Sequence, residues 1–431
     1  MKNLFIIKDT LANKISYLHL MAFLVALPFD MFYSELVLIS FSFHTLIHLK
    51  KSRLKYLYNK KLLIACSIFF INLFAILYSN NKEAALNDWG KQLALILFPI
   101  LFIINPLNLH TYKLPLLKAF GLTCTITIIY LFVNAARIIL YNHLPYRLLF
   151  SEFFMNQNFS ASIGMHATYL SMYAAFSVII FLYLFFKTDV RKSRIFYAAL
   201  ILILLAGLLQ LSSRAVFIAF AIIINVAFPV VIFRGMQRVK FMLASGFICA
   251  CILLTIVSID AYKKRYVAEL ENDLQQPLVI TTITEPRMAR WISAMELVAK
   301  SPLYGYGSGT EKKLLQQQFF EHKLYYSYLN ELNAHNQYLS LLLKFGIIGL
   351  LIYLYTLYFG FKLAIKKEDP LFLGFMIIIA IVSVSENILD VNKCIFFFGF
   401  FYSMFLFTGK TKTIIKITEK VKTHNRQTIH A

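Results

Sequence analysis

The sequence predicts an all-α polytopic membrane protein with about twelve transmembrane helices. Three observations carry that prediction. Of the 431 residues, 59% are hydrophobic and only 15% charged, with a mean hydropathy of +0.67; soluble domains are roughly 45–50% apolar and about 25% charged. A water-soluble fold cannot hide that much apolar surface, whereas a bilayer can. Apolar segments close to span length recur along the chain. Lysine and arginine gather in alternate connections between them.

Taken in order, the segments are 15–29, 31–48, 62–78, 92–106, 119–141, 165–186, 195–211, 215–233, 241–258, 337–361, 371–388 and 395–409. A span needs about 20 apolar residues. The first segment reads as a span and not as a cleaved signal peptide, because it lacks a small-residue cleavage site and runs into a second apolar stretch. With the N-terminus inside, basic clusters at 50–61, 187–194, 234–240, 362–367 and 410–426 all fall on the cytoplasmic side. The short outer connections hold only Lys82, Lys91, Arg147, Arg214 and Lys393. Cytoplasmic loops carry the excess of Lys and Arg, so both termini are expected in the cytoplasm. The net charge of +22 then reads as topology plus attraction to anionic headgroups, and not as a nucleic-acid surface. The expected organisation is spans one to nine in 1–258, a large external loop in 259–336, spans ten to twelve in 337–409, and a basic cytoplasmic tail in 410–431. Loops as long as 259–336 are usually functional. The five cysteines have neither disulfide-framework nor metal-ligand spacing, and no metal is expected.

Positive charge on the outer side needs a reason. Arg214 follows Ser212-Ser213 in the short turn between spans seven and eight. It is either a snorkelling end residue or an anion-binding arginine, whose planar fork matches phosphate oxygens. In the long loop, Pro286 predicts the start of a helix and Ser301-Pro302 its end. Met288, Trp291, Ile292, Met295 and Leu297-Val298 give that helix an apolar face, which suits the membrane surface with Trp291 at the interface. The glycines at 305–309 follow no strand and read as a turn, not a phosphate loop. Asn333 is the expected N-cap of span ten, which places His335 in that helix's first turn. A helix N-terminus favours neutral imidazole, and a neutral histidine can act as a general base; the alternative is an interfacial histidine bonding to headgroups. His166, Tyr169 and Tyr173 open span six on the same side. Asp30, Glu35, Asp88, Glu386 and Asp390 near outer helix ends, and Lys344 inside span ten, are read as structural.

At these residues the sequence resembles the O-antigen ligase / O-antigen polymerase superfamily of lipid-linked glycan transferases. The resemblance lies in Ser213-Arg214, in Arg287 to Trp291 leading to Pro302-Leu303-Tyr304-Gly305-Tyr306-Gly307, and in His335-Asn336 before a helix with Gly346 and Gly349. His166-Ala167-Thr168-Tyr169-Leu170 is similar to a segment of some members, with Ala167 where proline often stands. The resemblance implies a GT-C-like helical fold in the bacterial inner membrane. It also implies a metal-independent glycosyl transfer, without cofactors, at the periplasmic face. The donor would be a glycan on undecaprenyl diphosphate and the acceptor a hydroxyl of the lipid A-core. On that footing Arg214 and Arg287 hold the diphosphate and His335 orients or deprotonates the acceptor. Arg290, Asn336, His166 and Tyr169 contact donor or acceptor. Polymerases and protein O-glycosyltransferases share the donor and differ in acceptor. A transporter of lipid-linked sugars is the rival of another class. Against it, the sequence lacks paired halves with interrupted helices and carries few acidic groups in mid-membrane.

Overall fold

The computed structural model describes residues 2–274 and 285–409, which are helical with no strand among them. The expected basic tail at 410–431, and part of the long loop, lie outside the described residues. All twelve predicted segments fall on helices. Seven of the described helices are long and apolar enough to cross a membrane, or eight if Met31–Ile47 and Lys51–Leu57, bent by 120°, count as one span. The remaining segments include the shorter helices Leu11–Ala26, Pro370–Val382 and Asn392–Phe407. Length is the reason: at 1.5 Å per residue the Pro370–Val382 helix covers about 20 Å, less than the roughly 30 Å hydrocarbon thickness.

The helix Ala167–Lys187 forms the centre, with 78% of its apolar window buried, whereas Gly235–Ser258 has 11% and lies at the periphery. The central helix packs against Leu109–Tyr141, Arg191–Leu211 and Pro370–Val382. Lipid tails are as apolar as leucine, so close packing and polar contacts must hold such helices together. Aromatic rings supply much of that packing here. Phe120 and Phe401 lie 4.9 Å apart, Tyr173 and Phe397 4.7 Å, and Phe176 and Phe401 5.0 Å; such pairs add about 0.5–1.5 kcal/mol each. A buried ion pair, Lys113 with Asp369, ties Leu109–Tyr141 to the start of Pro370–Val382.

The long loop folds into the helices Glu269–Leu274, Arg287–Lys300, Glu311–Glu321 and Tyr325–Leu329. Ala294, Leu297, Leu315, Phe319 and Leu324 form a small core beneath them. The helix over Arg287–Lys300 has the bounds its prolines predict. Its packed face, however, is Ala289, Arg290, Ser293, Ala294, Leu297 and Val298, because small residues allow close approach. Ile292 and Met295 stay exposed. Trp291 is drawn inward, its indole N–H donating to the Ala334 carbonyl at 2.9 Å.

The loop is hydrogen-bonded into a break in the helix Gln337–Lys367. Gly346 interrupts that helix with φ 61° and ψ −159°. The Leu343 and Lys344 carbonyls then accept from the Tyr306 and Gly307 amides at 2.8 and 2.9 Å, and the Ile347 amide donates to the Pro302 carbonyl at 2.8 Å. A Cβ on Gly346 would meet the Tyr304 nitrogen at 2.6 Å and also the Leu303 carbonyl. Gly346→Ala is therefore expected to cost about 1–3 kcal/mol from backbone strain alone. Thermal unfolding of the detergent-solubilised protein measures this against Gly90→Ala, a position with open space around it.

Candidate active site

Arg214 and Arg287 come from separate elements and converge on one oxygen. Arg214 opens its helix in a tight turn where Ser212 takes a left-handed conformation, φ 50°. Its Nη2 lies 2.5 Å from Asp273 Oδ2. Arg287 is the first residue of the loop helix. That helix start is anchored by the buried Glu285 carboxylate, which accepts from the Tyr326 and Ser327 amides at 2.7 and 2.9 Å. Arg287 Nε lies 3.5 Å from the same Asp273 Oδ2, and its Nη1 donates to the Ser385 carbonyl at 3.3 Å.

The next residue, Glu386, faces His335. Its Oε2 lies 3.5 Å from His335 Nδ1, and its Oε1 accepts from Thr168 Oγ1 at 3.2 Å. Burial alone would raise the Glu386 pKa; the His335 hydrogen bond and the His166, His335 and Arg287 charges reverse this and leave it below the ordinary 4.5. Glu386 is thus a carboxylate at neutral pH. A carboxylate beside Nδ1 favours the tautomer with its proton on Nδ1, in which Nε2 carries the lone pair. The sign is the usual one for a depressed acid: the interaction is present above 4.5 and lost as pH falls through the lower folded-state value. Glu386→Gln forfeits a charged hydrogen bond of about 1.5–3 kcal/mol. Turnover should fall roughly 10- to 100-fold in initial rates of the two proteins compared at one pH near 7.

His335 is not in the first turn of its helix. Asn336 is the N-cap, its side-chain oxygen accepting from the Tyr338 and Leu339 amides at 3.0 and 3.2 Å. Asn333 instead accepts from the His335 amide at 2.9 Å, and His335 sits between them at φ 45°. The reason is competition: two asparagines three apart can each cap, and the nearer one takes the helix.

The other predicted residues gather around this centre. Arg290 is buried, and burial together with the Arg287 charge pushes its pKa down to about 10, so it stays protonated at neutral pH. Its Nε, like Arg214 Nη1, is buried with no hydrogen-bond partner among the described residues. His166 caps the central helix, accepting from the Thr168 amide at 3.3 Å. The ring keeps solvent contact, yet the packing around it lowers its pKa; Glu386 opposes this, and His335, Arg287 and Arg265 add to it. Tyr169 is buried with its ring 5.0 Å from His166. Tyr173 lies deeper, in the core.

A cavity of about 360 Å³ opens beside the two arginines and Glu386; His335, His166 and Arg290 do not line it. Arg214, Arg287 and Glu386 line one part of it, and Ile218, Leu270, Ile381 and Val384 supply apolar walls. Residues 198–354 match the family model described as O-antigen ligase. These residues, little more than a third of the chain, are similar to the O-antigen ligase/polymerase superfamily. No curated protein matches the chain. The superfamily is one of glycosyltransferase-like membrane proteins, and a multi-pass membrane protein is what the helices describe. The matched O-antigen ligase domain contains Arg214, Asp273, Arg287, Arg290, His335 and Asn336, while Thr168, Glu386 and His166 complete the cluster from outside it.

Asp273 escaped the sequence reading, because one acid among the several of 269–273 carries no spacing signal. Glu386 was visible as a charge beside an apolar segment. Its partner, however, lies 51 residues away.

Proposed function

We propose that the protein transfers a glycan from undecaprenyl diphosphate to a hydroxyl of the lipid A-core, at the periplasmic face of the bacterial inner membrane. The observation that carries this reading is the meeting of two guanidinium groups at one oxygen position, 2.5 and 3.5 Å away, beside an apolar-walled cavity. A phosphate oxygen suits the position that the Asp273 carboxylate holds, and the unpaired donors of Arg214 and Arg290 suit further oxygens. The apolar walls suit the first isoprene units. The twelve-span GT-C-like arrangement, with both termini cytoplasmic, belongs to the same proposal and is supported by the distribution of Lys and Arg.

The chemistry follows from the groups present. The acceptor oxygen attacks the anomeric carbon, and its proton passes to His335 Nε2. The bond from that carbon to the diphosphate oxygen breaks, and the diphosphate leaves with the electron pair. Preorganised arginines stabilise the charge that develops there. Glu386 stabilises the imidazolium that forms. No step draws on a metal or cofactor.

Purified protein in liposomes, given labelled undecaprenyl-diphosphate glycan and lipid A-core without ATP or added metal, tests the reading. Label on the lipid A-core supports a ligase. Longer lipid-linked chains would make the protein a polymerase on the same donor site. Absence of both products would sink the glycan-transfer reading for these acceptors, and a flipping assay would then test the transporter.

A further inference from the structure

Three consecutive backbone amides build the turn that presents His335, and a different side chain holds each. Asn333 Oδ1 accepts from His335 itself. On one side Glu311 Oε1 accepts from the Ala334 amide at 3.2 Å. On the other Asn387 Oδ1 accepts from the Asn336 amide at 2.8 Å. The two outer holders are joined, since Asn387 Nδ2 donates to Glu311 Oε1 at 3.0 Å. Asn387 also directly follows Glu386, the carboxylate facing His335 Nδ1. One buried pair thus sets both the imidazole-bearing turn and the residue that orients the imidazole.

Glu311 and Asn387 are 3% and 2% exposed, and a carboxylate so placed needs a counter-charge. Lys344 supplies it, at 3.2 Å from Glu311 Oε2 and 2.7 Å from Asp390 Oδ1. Lys344, Glu311 and Asp390 face a separate polar cleft of about 590 Å³, not the cavity that holds Arg214 and Arg287. A His335 backbone at positive φ is costly for a non-glycine residue, and the three amide contacts are what hold it there.

We infer that Glu311 and Asn387 are positioning residues for His335, locking its turn and its Glu386 partner in register. The inference rests on His335 acting as the acceptor-side base of the proposed transfer. Displacing a reacting group by about 1 Å can cost about 10²-fold. Glu311→Gln and Asn387→Ala should therefore each lower kcat by about 10²-fold and leave the donor KM within about twofold, because neither residue touches the arginine cavity.

The decisive measurement is a double-mutant cycle with full-length protein in liposomes, using labelled undecaprenyl-diphosphate glycan and lipid A-core. In a His335→Ala background neither substitution should slow transfer further. Ser340→Ala, which disturbs the cluster through Glu311 and Asp390 without touching the turn, should keep near wild-type turnover. Undiminished losses in the His335→Ala background, or a raised donor KM, would overturn the inference. So would loss of folded protein in both variants by thermal unfolding, since the cluster would then be a folding element. Full transfer by His335→Ala alone overturns the base assignment and this inference with it. An inactive His335→Ala beside fully active Glu311→Gln and Asn387→Ala overturns the inference alone.

Discussion

Arg287→Ala should insert and fold normally yet transfer glycan about 10²–10³ times more slowly, the loss typical of one preorganised donor to a developing negative charge. The fold loses little. Arg287 is a quarter exposed, and its contacts to Asp273 and the Ser385 carbonyl are long, at 3.5 and 3.3 Å. The reaction loses much more, because one of two cations at the leaving group disappears. Arg287→Lys should recover only part of the rate, since an ammonium is a point charge without the planar fork. Initial rates at saturating donor, with thermal unfolding as the control for folding, measure this. Wild-type rates in the alanine variant would remove Arg287 from the mechanism. Arg214→Ala is a less clean test, because Arg214 is more deeply placed, with 13% of its side chain exposed.

His335→Ala should lose about 10²–10⁴-fold in turnover, the range for general-base assistance, while donor affinity is retained. The two substitutions then separate by parameter. Loss of Arg287 weakens interaction with the diphosphate side, whereas loss of His335 slows the attack of the acceptor hydroxyl. Donor affinity comes from equilibrium binding of labelled lipid to each variant in the absence of acceptor. His335→Ala with full turnover would remove His335 as the base.

Much of this arrangement was readable from composition and punctuation. Each apolar segment became a helix, and Pro286 and Ser301-Pro302 marked the loop helix to the residue. Arg214 and Arg287 stood out because, in the expected topology, they break the pattern of basic residues set by the rest of the chain, and His335 because it lies beside an expected helix start. What escaped depends on contacts between distant residues. The acid that the arginines share, Asp273, is one of several in its stretch. The 371–388 segment reads as one span, yet its helix ends at Val382. There the Ser383 hydroxyl bonds back to the Ile379 carbonyl, and the Gln337 amide takes the Ser383 carbonyl at 2.8 Å. That early end is what frees Ser385, Glu386 and Asn387 to reach Arg287, His335 and Asn336. Periodicity reports a helix's face and rough length; it does not report which distant amide will claim its last carbonyl.

The junction at Gly346 also decides which parts of the site can shift relative to one another. Arg287 opens a helix that ends at Lys300, two residues before Pro302, and His335 lies two residues before the helix that carries Leu343. Hydrogen bonds at 2.8–2.9 Å weld the far ends of those two arms together. Arg287 and His335 are therefore linked through one hydrogen-bonded junction. Arg214 stands on a different helix and shares the Asp273 carboxylate with Arg287. In the proposed transfer, adjustment to a bulky glycan is expected between the two arginines, which the Asp273 carboxylate links, and not at the Gly346 junction.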